Sequence, residues 1–315
     1  MVAIRTRELC RYFGKSRAVE NINLDVPAGS LFGLIGPNGA GKTTTLRMLA
    51  GLLDPTSGEI RINGLAFRNY RREIQWQIGF MPDFFGVYED LFVWEYLDFF
   101  TRCYKIPPNR RRQVTDELLD LVDLTEKRDA YVHTLSRGMR QRLCLAHALV
   151  HDPKVLLLDE PASGLDPRAR VEMRELLREL RSMGKTILLS SHNLRELAEL
   201  CDSIAIMERG RLVVCGSLNE LNERIAGNRT LNIPVLSDPK NAMAILEAFP
   251  GVGQVSHSGM NGNGNMLEVE FNGDDSSAAD LLETLVIERV RIVSFNEVTT
   301  NLEETFLTLT KGEVA

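Results

Sequence analysis

Apolar and polar positions alternate over residues 2–8 and 19–26, predicting two half-buried strands. A short continuous apolar run, LFGLIG from Leu31, reads as a buried strand. After an intervening glycine-rich stretch, Leu46, Leu49 and Leu53 recur at helical spacing. SGEIRING predicts a strand ending in an Asn63-Gly64 turn, and WQIGFMP a strand ending at Pro82. Residues 89–104 and 110–123 carry helical patterns separated by Ile106-Pro107-Pro108. Leu91, Trp94, Leu97 and Tyr104 form a broad stripe that reads as core. Ser136 precedes a helical run to Val150, which His151-Asp152-Pro153 stops.

Val155–Leu158 reads as a buried parallel strand, followed by Asp166 and Pro167 as cap and first residue of a helix. In that helix Val171, Met173, Leu176, Leu177 and Leu180 are expected inward, with Glu172, Arg174, Glu175, Arg178 and Glu179 as a solvated face. TILLSSH is a further buried strand ending at His192, and Asn193 with Glu196 resembles a capping box. Residues 203–215 predict a hairpin turning at Arg209-Gly210. The pattern changes from about Leu221. TLNIPVL, PKNAMAILEAF, VGQVSHS, MLEVEFN, SSAADLLETLVIERV and VRIVSFNEV read in order as βαββαβ, the ferredoxin-like arrangement. GMNGNGN is a polar hairpin tip, His257 is expected at the surface, and Leu302, Phe306 and Leu309 mark one face of a last helix over 302–309.

Composition narrows the class. At 315 residues and 44% hydrophobic, the chain can build one large and one smaller domain. The formal net charge of −6 argues against a nucleic-acid groove as the main surface. Five scattered cysteines with no C-x-x-C pair predict neither a disulfide framework nor a zinc site, and fit a reduced cytosol. The N-terminus has no apolar h-region and no run of 18 apolar residues exists, so no membrane-spanning segment is expected.

The chemistry gathers in four places. Gly36, Pro37, Asn38, Gly39, Ala40, Gly41, Lys42, Thr43 and Thr44 lie between a strand and a helix, the setting of a phosphate-binding loop. Glycines let backbone N–H groups approach phosphates, and the helix beginning at Lys42 adds unpaired amides and its positive dipole end. Lys42 supplies a cation to the β- and γ-phosphates; the hydroxyl of Thr43 can ligate Mg²⁺ and that of Thr44 can reach the α-phosphate. Asp159 and Glu160 end a buried strand, where an α/β sheet places its ligands, and burying such a pair without a cation is costly. His192 ends another core strand. Tyr12 and Phe13 precede Gly14 and read either as half-buried strand residues or as an aromatic surface for adenine.

Over about residues 2–218 these motifs resemble an ATP-binding-cassette ATPase, a P-loop NTPase. GPNGAGKTT is similar to that family's Walker A, LSRGM to its signature, VLLLDE to Walker B, SGLD to the D-loop and His192 to the switch histidine, in the right order and spacing. Within that family the chain resembles the ATP-binding subunits of drug- and polysaccharide-export transporters, which carry a GLIGPNGAGKTT loop and a C-terminal extension. The resemblance implies an α/β ATP-binding domain over 1–220 with a helical subdomain at about 84–150, and an α+β accessory domain over 221–315 with a regulatory or dimer-supporting role. It implies two copies pairing head to tail, each ATP held between one copy's phosphate loop and Ser136 and Gly138 of the other. Asp159 then holds Mg²⁺, Glu160 polarises the attacking water, His192 contacts the γ-phosphate, and Phe13 is the adenine-stacking ring.

Two positions depart from the family's pattern. Asp83 stands in MPDFFGVYEDL where a metal-ligating glutamine is usual; it can still ligate Mg²⁺ but is shorter and charged. Arg137 replaces a glycine in LSRGM, and either adds a cation near the γ-phosphate or points into solvent. The expected function is ATP hydrolysis driving a separate integral-membrane permease, with the chain cytoplasmic and peripheral on the inner face of the cell membrane. A soluble ATPase acting on nucleic acid or ribosomes is the alternative. It is weakened by the lack of a coiled-coil insertion or a second cassette. A pure nucleotide sensor is disfavoured by the presence of Glu160 and His192.

Overall fold

The computed structural model describes residues 1–83, 86, 88, 90–218, 229–236, 238–260 and 265–298. The chain divides into two compact units, Met1–Leu218 and Asn219–Ala315.

The first unit opens with β1 (Val2–Phe13) and β2 (Ser16–Pro27), one long antiparallel hairpin. Both strands outrun the segments that alternation predicts. Register shifts interrupt the pairing between Thr6 and Tyr12, and Glu8 and Asn21 adopt positive φ. Such bulges break a period of two while the ladder continues. β3 (Leu31–Ile35) is buried at every position, and α1 (Lys42–Leu49) follows the glycine-rich loop. β4 (Ser57–Ile62) and the two-residue β5 (Leu65–Ala66) complete a first sheet of order β2-β1-β4-β5.

After the short α2 (Arg71–Gln75), β6 (Ile78–Met81) joins a second sheet. Three helices come next: α3 (Val93–Cys103), α4 (Pro108–Leu121) and α5 (Arg137–Leu149). Pro108 does not merely separate the helices. It occupies the first turn of α4, where a missing N–H costs nothing. The centre of the α3 stripe is Val93, Tyr96, Leu97 and Thr101, while Leu91, Trp94 and Tyr104 are half-buried. His147 of α5 stacks on Phe100 with ring centroids 3.5 Å apart. Burial lowers its pKa to about 4, so near neutral pH it packs as an uncharged ring.

β7 (Val155–Leu158), α6 (Pro167–Ser182), β8 (Thr186–Ser191), α7 (Leu194–Leu200), β9 (Ser203–Glu208) and β10 (Arg211–Ser217) finish the unit. The Asp166 carboxylate accepts from the Ala169 N–H at 2.9 Å, as a cap should. Val171 is a correction: it is exposed, because it lies off the face on which Met173, Leu176, Leu177 and Leu180 are buried. Arg174 is likewise not free in solvent but bridges to Glu199. The second sheet runs β10-β9-β3-β8-β7-β6, parallel except for β10. Chain order β3, β6, β7, β8 thus becomes spatial order β3-β8-β7-β6, which brings four carboxyl ends together. Side chains from both sheets and from α1, including Ile4, Leu24, Phe32, Leu46, Val155 and Met207, share one core.

Among its described residues the second unit has four antiparallel strands: β11 (Arg229–Val235), β12 (Val252–Met260), β13 (Asn265–Phe271) and the short β14 (Asn296–Val298). With α8 (Pro239–Glu247) and α9 (Asp275–Ile287) they follow the βαββαβ order. The spatial order β12-β13-β11-β14 is the one the ferredoxin-like reading requires. β14 keeps only three residues of the expected VRIVSFNEV strand; Ile292 makes an isolated bridge to Val235. Leu231, Ile233, Leu246, Leu267, Phe271 and Leu281 belong to this unit's own core. His257 is exposed, as expected. The helix expected over 302–309 lies outside the described residues.

Candidate functional site

The loop after β3 wraps an open cleft of about 180 Å³, lined by Pro37 to Thr44 with Ala18, Asp83 and Glu160. Two of its glycines are dictated by distant backbone. A Cβ on Gly36 would stand 2.2 Å from the Met207 carbonyl oxygen, and one on Gly41 2.4 Å from that of Ala18. Gly41 also has φ +104, a conformation that only glycine adopts without strain. The loop leading into α1 is therefore held close to the backbone of β2 and β9 at positions that no side chain could occupy.

Lys42 is 5% exposed. Its Nζ donates to the carbonyl oxygens of Gly36 at 2.6 Å and Pro37 at 3.3 Å, and lies 3.4 Å from Glu160 Oε1. A buried ammonium is tolerable only when surrounded by such acceptors. Thr43 and Thr44 are half-buried at the cleft wall.

The acidic side comes from β7 and β8. Asp159 is 1% exposed, and its Oδ1 accepts from the Ser190 hydroxyl at 2.7 Å. Ser190 Oγ also accepts the Glu160 N–H at 3.0 Å. Glu160 sits at φ +52, which is uncommon outside glycine and marks a held conformation. Its Oε2 is 2.9 Å from Nδ1 of His192, whose ring is more than half exposed. Asp83, just past β6, faces the same space. Burial, then the charges of Asp159 and Glu160, raise its pKa above the usual carboxylate range; Arg137 and His192 pull weakly the other way.

The structure thus brings Gly36 to Thr44, Asp83, Asp159, Glu160 and His192 together. Phe13 is not in the cleft wall. It ends β1, five residues before Ala18 on the same hairpin, half exposed under the Arg11 guanidinium at 4.6 Å. Ser136 and Gly138 are elsewhere. Ser136 caps α5, its Oγ accepting the Met139 N–H at 3.2 Å, and is exposed; Gly138 is buried, with a notional Cβ 2.9 Å from that of Ala169. Arg137 is exposed, its Nη2 donates to the Ser163 carbonyl at 3.1 Å, and its charge reaches Asp83 in the cleft wall. Ser190 and Ala18 were missed by sequence reasoning. Two serines closing a buried strand before His192 were the available signal for the first; the second acts through its backbone and left none.

Comparison with known proteins bears on this geometry. A family described as "ABC transporter" matches residues 19–163, and one described as "ATP-binding protein DrrA1-3-like, C-terminal domain" matches 216–310. The chain is 40% identical over 243 residues to the Nod factor export ATP-binding protein I of Burkholderia lata, covering 77% of this chain and 80% of that protein. It is 29% identical over 313 residues to the linearmycin resistance ATP-binding protein LnrL of Bacillus subtilis, covering 98% of each. Among solved structures, an ATP-binding subunit of an ABC transporter superposes with a TM-score of 0.64 at 29% identity, covering 71% of this chain and 93% of that one.

Proposed function

Because the chain belongs to the ABC transporter family as an ATP-binding subunit of exporter type, and so is an ATPase, we propose that it works as a pair of copies around two nucleotides. The observation that carries this reading is the placement of Ser136 and Gly138. They open a helix, an anion site in its own right, yet stand outside the cleft that holds the phosphate loop of the same chain. A second copy placed head to tail can bring that helix end to the uncovered side of the nucleotide.

Within each cleft the backbone amides and Lys42 bind the phosphates, and Thr44 reaches the α-phosphate. Glu160 positions and polarises the attacking water while His192, bonded to it, meets the γ-phosphate. Phe13 offers its exposed ring to adenine. The donor set fits Mg²⁺: the three carboxylates Asp83, Asp159 and Glu160 outnumber the cations beside them, Lys42 paired with Glu160 and Arg137 acting weakly on Asp83, and the excess negative charge favours a cation. No three His, Cys, Asp or Glu side chains among the described residues could hold a metal alone, so nucleotide and water oxygens complete its shell. Thr43, Asp159 and Asp83 are the protein's contributors, and the ion supplies charge stabilisation to the phosphates.

We assign the membrane path to a separate permease, with this chain against the inner face of the cell membrane. No helix among the described residues is long and apolar enough to cross a membrane. The relatives named for export and resistance support an outward direction. Two measurements test the proposal. ATPase rate per chain should fall steeply on dilution as copies separate; a rate independent of dilution contradicts the paired site. Asp83→Asn should raise the Mg²⁺ concentration for half-maximal hydrolysis by about tenfold, and an unchanged metal titration removes Asp83 as a ligand.

A further inference from the structure

The segment after Glu160 is a tight turn: the Ser163 N–H donates to the Glu160 carbonyl at 3.0 Å. Arg137 reaches this turn from the start of α5. Its Nη2 donates to the Ser163 carbonyl at 3.1 Å, and its guanidinium lies where a side chain on residue 164 would be. A Cβ on Gly164 would stand 2.4 Å from Cζ and 2.5 Å from Nη2 of Arg137. The close approach of Gly138 to Ala169 makes this reach possible by bringing the first turns of α5 and α6 together.

We propose that Arg137 is a positioning residue for hydrolysis: it clamps the Ser163-Gly164 turn and thereby holds Glu160 at its uncommon backbone angle. The inference rests on the role given to Glu160 above. A guanidinium suits the task because it is planar and can both lie flat over a glycine and donate to a carbonyl. A cation placed on the phosphate predicts something different, a change in nucleotide affinity. Loosening the turn that carries Glu160 misplaces the attacking water and lowers the rate of the bound complex.

The test is steady-state ATPase kinetics on the full chain at protein concentrations that sustain maximal rate. Arg137→Ala should lower kcat by about tenfold while KM for ATP moves less than about twofold. Arg137→Lys should recover part of the loss, since lysine can reach the carbonyl but cannot cover the glycine. Gly164→Ala should reproduce the defect, by displacing the guanidinium and by straining a turn residue held at φ +66, and because both changes loosen the same turn the double variant should be far better than the product of the two single effects. An unchanged kcat in Arg137→Ala, a raised KM at constant kcat, or effects that simply multiply overturns the proposal. Glu160→Gln, run in parallel, separates the layers. An active Glu160→Gln removes the role of Glu160 and this inference with it. An inactive Glu160→Gln beside a fully active Arg137→Ala removes this inference alone.

Discussion

Glu160→Gln is expected to cut ATP turnover by ~10²–10⁴-fold while leaving nucleotide binding intact. The substitution keeps the shape of a side chain that already has two partners, His192 at 2.9 Å and Lys42 at 3.4 Å. An amide can hold its place between them, and the backbone bond from its N–H to Ser190 Oγ is untouched. What disappears is the negative charge that draws a proton from water as it attacks. Nucleotide should then accumulate unhydrolysed between two copies. Size-exclusion chromatography with ATP should show a dimer that wild type releases on hydrolysis. A variant that stays strictly monomeric and turns over normally contradicts the role given to Glu160.

Lys42→Ala should abolish measurable binding or turnover, a loss of at least about 10²-fold. Its ammonium donates to the loop's own Gly36 and Pro37 carbonyls. Removing it takes away the phosphate's cation and the ammonium donor of the Gly36 carbonyl, while the Pro37 carbonyl keeps the Ala40 N–H at 3.1 Å. The variant therefore acts on the loop's shape as well as its charge. Lys42→Met, which retains most of the buried stem, separates the two effects. Titration calorimetry with ATP reads the binding, and a thermal melt of each variant without nucleotide reads the loop. Wild-type turnover in Lys42→Ala removes the phosphate-loop assignment.

Much of this site is legible in the sequence, and the reason is local. Three glycines, a lysine and two hydroxyls between an apolar run and a helical pattern carry their meaning in sequence spacing, since backbone amides of one loop do the binding. The same holds for Asp159-Glu160 and His192, which end buried runs. Among the parallel strands of the second sheet such ends share one rim. Where local pattern failed, the cause can be named. Bulges hid the length of the β1–β2 hairpin, Pro108 reads as a breaker until its place in a first turn is known, and Val171 is apolar yet turned outward.

From the residues alone came the phosphate loop, the two carboxylates, the histidine, the alternation of strands and helices, and the βαββαβ order of the second unit. Each is a matter of neighbours along the chain. Only the tertiary structure decided why Gly36 and Gly41 must be glycine, that Ser190 ties Asp159 to Glu160, and that Arg137 grips the Ser163 turn. Those contacts join residues 23 to 171 positions apart in sequence, and such separations leave no periodicity to read.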